Sequence, residues 1–360
     1  MEDLGLSAID KEFWNGRRVF LTGHTGFKGS WICLWLSSLG AVVKGYSLCP
    51  STTPSLFEEA RIDRLIDSEI GDIRNLSKIK KSMLDFDPDI LIHMAAQSLV
   101  RYSYRAPIET FEINVLGTAN VLEAARSCTN LKSIINITTD KCYENRESDI
   151  GYKEDDPMGG DDPYSSSKGC AELVTGAYRR SFFQQQGIGL ASVRAGNVIG
   201  GGDWAEDRLI PDILTSLKAN TPVVIRNPNS TRPWQHVLEP LSGYLILAQK
   251  LYNSPDLYAE GWNFGPNDSD VQPVSWILDN MIEKWGSGQW QLDQGAHPHE
   301  AGYLKLNISK AGQRLNWRPV WSLDKALNFI IEWQIQYLNG VNMQDASLRQ
   351  IELYTKDLRN

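Results

Sequence analysis

A tyrosine and a lysine four residues apart form the clearest chemical pattern in the sequence. Tyr164 and Lys168 lie in the segment PYSSSKGCAE. On a helix, a spacing of about one turn places both side chains on the same face. A lysine ammonium next to a phenol stabilises the phenolate, and the phenolate can accept a proton from a substrate hydroxyl while hydride leaves for a nicotinamide. A surface pair on a helix is the alternative.

Three further polar side chains lie 23 to 25 residues before this tyrosine. The run IINITTD (134–140) predicts a buried strand, and Thr139 lies at its carboxyl end. From there its hydroxyl can reach the same substrate oxygen as the phenol. Asp140 and Lys141 follow directly, where a solvated pair in a loop is one interpretation. We expect Thr139, Tyr164 and Lys168 to be catalytic residues.

A glycine-rich segment, GHTGFKG (23–29), predicts a dinucleotide site. Gly23, Gly26 and Gly29 are spaced G-x-x-G-x-x-G between a predicted strand (17–23) and a predicted helix (30–40). Glycines allow a tight turn and a close approach to a pyrophosphate, and the helix N-terminus offers free N–H groups to it. An ordinary glycine turn is the alternative. His24 has no neighbouring metal ligand in sequence, and we expect no metal site.

The next predicted strand (42–48) leaves the choice between NAD and NADP open. In dinucleotide-binding folds this strand usually ends in an acidic residue that binds the adenine ribose. Here Ser47 lies near that place, and the strand VVKGYSL contains no Asp or Glu. We therefore expect the protein to bind the cofactor weakly.

The order of predicted elements indicates an α/β fold. Strands at 17–23, 42–48, 90–96 and 134–140 alternate with helices that include 30–40 and 108–127, which is typical of a Rossmann, doubly wound parallel sheet. Ligands of such sheets bind at the carboxyl ends of the strands. The second half combines short strands (222–227, 261–267) with helices (238–252, 275–285, 323–338, 344–358), which predicts a smaller mixed α/β lobe.

These patterns divide the chain into three parts. Residues 1–190 form the predicted cofactor domain, whose core continues with elements of 190–260. Residues 191–340 form mainly the substrate lobe, and residues 341–360 form a C-terminal helix.

Composition excludes several classes of function. The 360 residues carry a net charge of −8, which argues against general nucleic-acid binding. No apolar run approaches the roughly 20 residues of a membrane helix, and the N-terminus does not resemble a secretory signal. The five cysteines show no metal-ligand spacing. We expect a cytoplasmic protein with reduced thiols, without a membrane or nucleic-acid partner.

Several motifs together resemble the extended short-chain dehydrogenase/reductase family. They are the glycine segment, GDI (71–73), HMAAQ (93–97), NVLGTANVLEAAR (114–126), the Thr139–Tyr164–Lys168 set and RAGNVIGGGDW (194–204). The resemblance covers about residues 15–335 and is most specific in the first 205. It implies that NAD or NADP binds in the Rossmann domain and a nucleotide-sugar in the C-terminal lobe.

The resemblance also implies roles for individual residues. Cofactor contacts would come from the glycine segment, the ends of later strands and the catalytic helix: Gly23, Thr25, Gly26, Phe27, Gly29, Asp72, Ile73, Ala95, Ala96, Gln97, Tyr164 and Lys168. Asp72 and Ile73 would flank the adenine. Asn197 would contact the sugar nucleotide, and Arg232 its diphosphate. A homodimer through helices at 114–126 and 164–179 is expected, and the segment 297–307 would lie near the nucleotide.

Members of this family differ in the residues that follow the catalytic threonine. Epimerases usually have small residues there, whereas dehydratases have an acidic pair. Oxidation at sugar carbon 4 acidifies the hydrogen on carbon 5; a base removes that hydrogen and an acid protonates the hydroxyl leaving carbon 6. Hydride then returns to carbon 6, so NAD is regenerated.

Within the family, TTDKCYEN (138–145) is similar to the CDP-glucose branch of the dehydratases, as are GHTGFKGSW and GNVIGGGDWAEDRLIPD. The resemblance implies CDP-glucose as the substrate and Asp140 as the acid, and it adds Asp140 and Lys141 to the expected catalytic residues. Lys141 stands where other branches have glutamate, so the base stays open between Lys141 and Glu144. A nucleotide-sugar epimerase is the main alternative; a net reductase and a non-enzymatic NAD-binding protein are two others.

Overall fold

The computed structural model describes residues 9–146, 150–293, 295 and 304–359. Within these residues the strands are β1 (Arg18–Thr22), β2 (Val42–Ser47), β3 (Asp67–Ile70), β4 (Ile90–His93), β5 (Ser133–Ile137), β6 (Gly189–Ala195), β7 (Asn197–Ile199), β8 (Val223–Ile225), β9 (Thr231–His236), β10 (Gly261–Phe264), β11 (Val271–Pro273) and β12 (Trp290–Leu292). The expected contact of 297–307 with the nucleotide falls mostly outside the described residues.

Seven parallel strands form the main sheet, in the order β10-β6-β5-β4-β1-β2-β3. The central strands β4, β5 and β6 are buried along their whole length. Their near-continuous apolar sequences are what a parallel sheet covered on both faces requires. The order of strands reverses next to β1, and the crevice there, at the carboxyl ends, is where such folds bind ligands. The predicted doubly wound fold is confirmed.

The helices are α1 (Lys11–Trp14), α2 (Phe27–Ser38), α3 (Leu56–Glu59), α4 (Leu76–Phe86), α5 (Val100–Arg105), α6 (Pro107–Phe111), α7 (Gly117–Ala125), α8 (Pro163–Tyr178), α9 (Leu209–Ala219), α10 (Leu238–Asn253), α11 (Pro255–Tyr258), α12 (Val274–Trp285), α13 (Leu323–Leu338) and α14 (Met343–Leu358). Of the predicted helices, the one at 108–127 is present as α6 and α7 joined by a π-helical turn at Glu112–Leu116.

Two small sheets belong to the second half of the chain. One has the order β11-β9-β7 and the other pairs β12 with β8. A separate apolar cluster lies around them, with contributions from α9, α12 and α13. The smaller mixed lobe is therefore present.

One strand of the second half lies elsewhere than expected. The segment predicted at 261–267 forms β10, which pairs in parallel with β6 at the edge of the main sheet. The sequence pattern assigns this segment to the small lobe with the other short strands, and that assignment is wrong. The chain thus returns to the Rossmann sheet after its first passage through the small lobe.

No helix of the described residues is long and apolar enough to cross a membrane. The same residues contain no group of three or more His, Cys, Asp or Glu side chains arranged to hold a metal ion.

Candidate active site

A short polar turn follows β5 and carries three of the predicted catalytic residues. β5 ends at Ile137, and Thr139 then caps a single turn of 3-10 helix at Asp140–Cys142. The Thr139 hydroxyl accepts a hydrogen bond from the Lys141 backbone N–H at 3.4 Å and donates one to the Asp140 Oδ1 atom at 3.0 Å. We call residues 139–141 the catalytic turn. It lies at the carboxyl edge of the sheet, as expected.

Helix α8 places the tyrosine and the lysine beside this turn. Asp162 caps the helix by accepting from the Ser165 N–H at 3.0 Å, and Pro163 occupies its first position, where a missing N–H costs nothing. Tyr164 and Lys168 are buried, with 7% and 6% of their surface exposed. The Lys168 ammonium donates to the Ile137 carbonyl at 3.2 Å, which ties the helix to the end of β5. The structure thus brings the predicted pair together with the catalytic turn.

Burial is the largest cause of the pKa shifts of Tyr164 and Lys168. It raises the pKa of the Tyr164 phenol to about 12, while hydrogen bonding with Thr139 and the charge of Arg208 act in the opposite direction. Burial also lowers the pKa of Lys168 to about 8, against the opposing charge of Glu172. The expectation of a phenol with a lowered pKa is therefore wrong for the chain by itself, because desolvation of the phenolate outweighs the groups that stabilise it.

Asp140 is a buried acid with an open acceptor. Its Oδ1 atom accepts from Thr139 and lies 3.6 Å from the Lys141 ammonium. Its Oδ2 atom is buried and has no hydrogen-bond partner among the described residues. The Asp140 side chain is 1% exposed and that of Lys141 is 32% exposed. Asp140 is therefore not part of a solvated pair in a loop. Lys141, its ion-pair partner, is the member of the pair that is partly exposed.

The sequence reasoning missed two cations beside the catalytic residues. Lys28 lies in the first turn of α2, and burial with the charges of Lys168 and Arg208 lowers its pKa to about 7. Arg208 donates to Asp203 at 2.9 Å and to Ser98 at 3.0 Å. Both residues lie inside the motifs described above, but only the tertiary structure shows that Arg208 acts on Tyr164 and that Lys28 faces Arg208 and Lys168.

The glycine segment has the geometry of a phosphate cradle. Gly23 has a φ of +80°, and an added Cβ would lie 2.7 Å from the Ala95 backbone nitrogen. A Cβ on Gly29 would lie 2.0 Å from the Gly23 carbonyl oxygen. Gly26 caps α2, and no side chain in the described part of the chain bonds to the N–H groups that this helix start leaves open. These N–H groups and Lys28 suit the pyrophosphate of a dinucleotide, so the residues present fit NAD.

The adenosine side of the predicted cofactor site carries no acid at the end of β2. Ser47 ends that strand, and its hydroxyl lies 2.9 Å from the hydroxyl of Thr25. Asp72 binds Arg74 through both carboxylate oxygens, which holds the pKa of the Asp72 carboxyl below its usual value. The Ile73 side chain is buried in the core of the domain. The adenine contacts of Asp72 and Ile73 stay predictions.

The segment after β4 is held in place by side chains of α6, the π-helical turn and α8. Gln97 donates through its amide to Thr110 at 3.0 Å, and its backbone N–H donates to the Asn114 Oδ1 atom at 2.9 Å. Asn114 also donates to Ser167 on α8 at 2.9 Å. Ala95 and Ala96, which precede Gln97 at the sheet edge, are thereby fixed relative to the helix that carries Tyr164.

The two predicted substrate residues lie on neighbouring strands of the small lobe. Asn197 begins β7, and Arg232 lies in β9, which pairs with β7. The Asn197 Oδ1 atom is buried without a partner among the described residues. A Cβ on Gly196 would lie 3.2 Å from the Asp140 Oδ2 atom. The small lobe therefore reaches the catalytic turn at the residue before Asn197.

Sequence comparison supports the same family that the motifs indicate. A family model described as GDP-mannose 4,6 dehydratase matches residues 20–329. The chain is 57% identical to CDP-glucose 4,6-dehydratase of Salmonella typhimurium, over 96% of this chain and 98% of that protein. It is 24% identical to dTDP-glucose 4,6-dehydratase 1 of Escherichia coli, over 91% and 94% of the two chains.

Solved structures share the fold at lower sequence identity. The dTDP-glucose 4,6-dehydratase of Bacillus anthracis in complex with NAD superposes with a TM-score of 0.77 and 19% identity, over 91% of this chain and all of that chain. The UDP-glucose 4-epimerase of Thermotoga maritima with UDP-glucose also has a TM-score of 0.77 and 19% identity, over 89% and 99%. Dehydratases and epimerases thus share one architecture, and the fold alone does not separate the two reactions.

Proposed function

Because the chain belongs to the GDP-mannose 4,6-dehydratase family, we propose that it converts CDP-D-glucose to CDP-4-dehydro-6-deoxy-D-glucose. The observation that carries the proposal is the 57% identity with a CDP-glucose 4,6-dehydratase over 96% of this chain. The buried acid next to Thr139 supports dehydration over epimerisation, because exchange of configuration at carbon 4 needs neither an acid at carbon 6 nor a base at carbon 5.

The glycine segment, the start of α2 and the residues after β4 hold NAD. When bound, the nicotinamide supplies a reversible hydride acceptor, so that the sugar is oxidised at carbon 4 and reduced at carbon 6 without net consumption of reductant. Lys28 offers the pyrophosphate a positive charge at the start of α2. Thr25 and Phe27 contribute to the same cradle.

Tyr164 accepts the proton of the carbon-4 hydroxyl. Its phenol has a pKa of about 12 in the chain by itself, so it acts only when positive charge stabilises the phenolate. Arg208 supplies such a charge from the small lobe. Lys168, one helical turn from Tyr164, is the second cation from which we expect this stabilisation. The Thr139 hydroxyl hydrogen-bonds with the same phenol and positions the substrate oxygen.

Asp140 and Lys141 carry out the elimination as a coupled pair. Their charged atoms lie 3.6 Å apart, and a small rotation of the Lys141 side chain, which is 32% exposed, brings them within hydrogen-bond distance. A proton can then pass from the ammonium to the carboxylate when substrate excludes water. Neutral Lys141 then takes the carbon-5 proton, and protonated Asp140 gives its proton to the hydroxyl that leaves carbon 6 as water. Both residues finish in their starting charge states.

Glu144 is the weaker candidate for the base. Its side chain is 53% exposed and lies 3.2 Å from Arg146, so it faces solvent with a partner of its own. Lys141 adjoins the acid with which it must act. The geometry therefore favours Lys141.

Asn197 and Arg232 recognise the nucleotide part of the substrate. The unpaired Asn197 Oδ1 atom offers an acceptor next to the catalytic turn. Arg232 supplies a planar guanidinium, which suits a diphosphate.

The protein acts as a cytoplasmic homodimer. Ile108, Leu116 and Leu173 are large apolar side chains that are mostly exposed on helices packed beside each other, as expected where a second copy covers them. All five cysteines are free thiols, which suits a reducing compartment. Light scattering should give twice the mass of the chain for the wild type, and the Leu116→Glu/Leu173→Glu double variant should be monomeric; a monomeric wild type would refute the dimer.

The substrate assignment is tested by mass spectrometry of the protein incubated with NAD and, separately, with CDP-, dTDP-, UDP- and GDP-hexoses. We expect CDP-glucose to lose one water while NAD acts in catalytic amounts. A product of unchanged mass but altered configuration would support the epimerase instead. Loss of water from a different nucleotide-sugar would support the dehydration but contradict the assignment of CDP-glucose as the substrate.

A further inference from the structure

A buried ion pair lies directly beneath the catalytic turn and takes no part in the mechanism above. Glu172 on α8 and Arg194 on β6 each have side chains that are 5% exposed. The guanidinium donates from Nε to the Glu172 Oε1 atom and from Nη2 to the Oε2 atom, both at 2.9 Å. This two-point arrangement fixes the relative orientation of the two side chains.

The pair holds the catalytic turn on its N-terminal side through Thr138. The Thr138 hydroxyl donates to the Glu172 Oε1 atom at 2.5 Å. The Thr138 backbone N–H donates to the Val193 carbonyl at 2.8 Å, which adds a second tie to β6. Thr138 immediately precedes Thr139, so its position limits where the next side chain can point.

The pair holds the other side of the turn through Tyr143. The Arg194 Nη1 atom donates to the Tyr143 hydroxyl at 2.6 Å, and that hydroxyl donates to Asn263 on β10 at 2.7 Å. The same Nη1 atom donates to the Glu154 carbonyl at 2.9 Å. Tyr143 lies two residues after Lys141, so the catalytic turn is fastened at both ends to one ion pair.

Glu172 also lies one turn after Lys168 on the same helix. We propose that Glu172 and Arg194 are positioning residues, which hold the catalytic turn in register with Tyr164 and Lys168 through Thr138 and Tyr143. The proposal rests on the proposed function, since the reaction whose geometry they set is the dehydration.

A contribution to stability alone accounts poorly for this arrangement. Apolar side chains of similar size often stabilise a core as well as a buried ion pair does, because desolvation of the charges offsets their attraction. Here the polar contacts connect the segments that carry the catalytic residues: β5, α8 and the loop after Lys141. Misplacement of reacting groups by about 1 Å can lower a rate by about a hundredfold, so such a connection has a direct effect on turnover.

The charge of Glu172 gives the proposal a second readout. The titratable groups that interact with Lys168 are Glu172 on α8, Cys142 after β5, His93 on β4 and Lys28 on α2. Burial lowers the pKa of Lys168 and Glu172 opposes that effect. Removal of the carboxylate charge leaves Arg194 uncompensated, so Lys168 should lose its proton at lower pH.

The test compares kinetic constants for CDP-glucose in the wild type and in three variants: Thr138→Val, Tyr143→Phe and Glu172→Gln. We expect the first two to lower kcat about tenfold with KM changed by less than about twofold. Glu172→Gln should lower kcat by about a hundredfold and move the alkaline limb of the pH profile of kcat down by about one unit.

Two matched substitutions control for loss of a buried hydroxyl. Thr175→Val removes a buried hydroxyl on α8 that accepts from Asn136 at 2.6 Å, and Tyr354→Phe removes one that donates to Glu239 at 2.7 Å. Both should keep wild-type kcat while lowering the melting temperature as the test variants do. If Glu172→Gln does not fold, the kcat values of Thr138→Val and Tyr143→Phe are sufficient to test the positioning role.

The outcomes separate this proposal from the proposed function. A wild type that dehydrates CDP-glucose, with Thr138→Val and Tyr143→Phe equally active, would overturn the positioning role and leave the function intact. A wild type that does not dehydrate CDP-glucose would overturn the function itself.

Discussion

Two regions of the molecule bury a carboxylate in opposite ways. The first region is the C-terminal hub, formed by Glu239, Trp321 and Tyr354. There the Glu239 Oε1 atom accepts a hydrogen bond from the Trp321 backbone N–H at 2.7 Å. Its Oε2 atom accepts from the Val320 N–H at 3.0 Å and from the Tyr354 hydroxyl at 2.7 Å. In the catalytic turn, the Asp140 Oδ2 atom is equally buried but has no partner among the described residues.

The difference distinguishes a structural carboxylate from a reactive one. Buried polar groups are almost always hydrogen-bonded, because an unpaired one costs about 1–3 kcal/mol. The hub meets this rule and joins α10 to the segment before α13 and to α14. The catalytic turn departs from it at the atom that must exchange a proton with substrate. Substitutions in the turn should therefore affect turnover, and substitutions in the hub should affect stability.

The largest effect is expected from Tyr164→Phe. Without the phenol, no group takes the proton from the carbon-4 hydroxyl, and kcat should fall about a thousandfold. The fold should persist, because the ring and its packing remain. Steady-state kinetics and thermal unfolding measure the two properties, and near-normal turnover would contradict the role of Tyr164.

Asp140→Asn should lower overall turnover by about a hundredfold but spare the first step. The amide cannot give a proton to the leaving hydroxyl, whereas oxidation at carbon 4 depends on Tyr164. Rapid mixing with substrate should therefore show reduced nicotinamide, by its near-ultraviolet absorbance, accumulating to a higher level than in the wild type. Equal loss of both steps would mean that Asp140 acts earlier than we propose.

A buried histidine in each region should make stability depend on pH. Burial lowers the pKa of His93, beneath the catalytic site, and of His236, beside Trp321, to about 3. The unfolded chain takes up these protons near pH 6.5 and the folded chain does not, so stability is complete above about pH 6.5 and is lost as pH falls toward 3.

His236→Phe isolates this contribution in the hub. Between about pH 7 and about pH 5, the variant should lose about 2 kcal/mol less unfolding free energy than the wild type. Urea unfolding at the two pH values measures the difference. An identical pH dependence in both proteins would show that His236 is protonated in the folded chain.

The smallest effect is expected from Tyr354→Phe. The Tyr354 hydroxyl bonds to the Glu239 Oε2 atom at 2.7 Å and lies 3.1 Å from the Ser242 hydroxyl. The Glu239 Oε2 atom keeps the Val320 backbone N–H as a donor, so loss of the two hydrogen bonds should cost about 1–2 kcal/mol of unfolding free energy. Turnover should stay at the wild-type level, since the hub does not touch the catalytic turn. A substantial loss of kcat would mean that the hub is coupled to catalysis.

Local patterns account for what the sequence predicted well. The spacing of Tyr164 and Lys168 is a property of a single helical turn, and the alternation of apolar runs with amphipathic segments defines the parallel sheet. The strand at 134–140 placed Thr139 at the correct sheet edge, although β5 itself ends at Ile137.

Long-range contacts account for what was missed. Nothing near Lys28 in sequence indicates that it faces Arg208 or Lys168, and nothing near Thr138 indicates its bond to Glu172. The main-sheet position of β10 depends on pairing with β6, about 70 residues earlier, which no local pattern encodes. The pKa of Tyr164 was misjudged because neighbours in sequence reveal charge but not the extent of burial.

The most direct test of the dehydration follows the hydrogen that starts on carbon 4. CDP-glucose labelled with deuterium at that carbon is incubated with the protein and NAD, and the product is analysed by mass spectrometry and NMR. We predict a 4-keto product that has lost water and carries the deuterium in its carbon-6 methyl group. Deuterium retained at carbon 4 of an epimer, or transferred to free reduced cofactor, would contradict an internal dehydration.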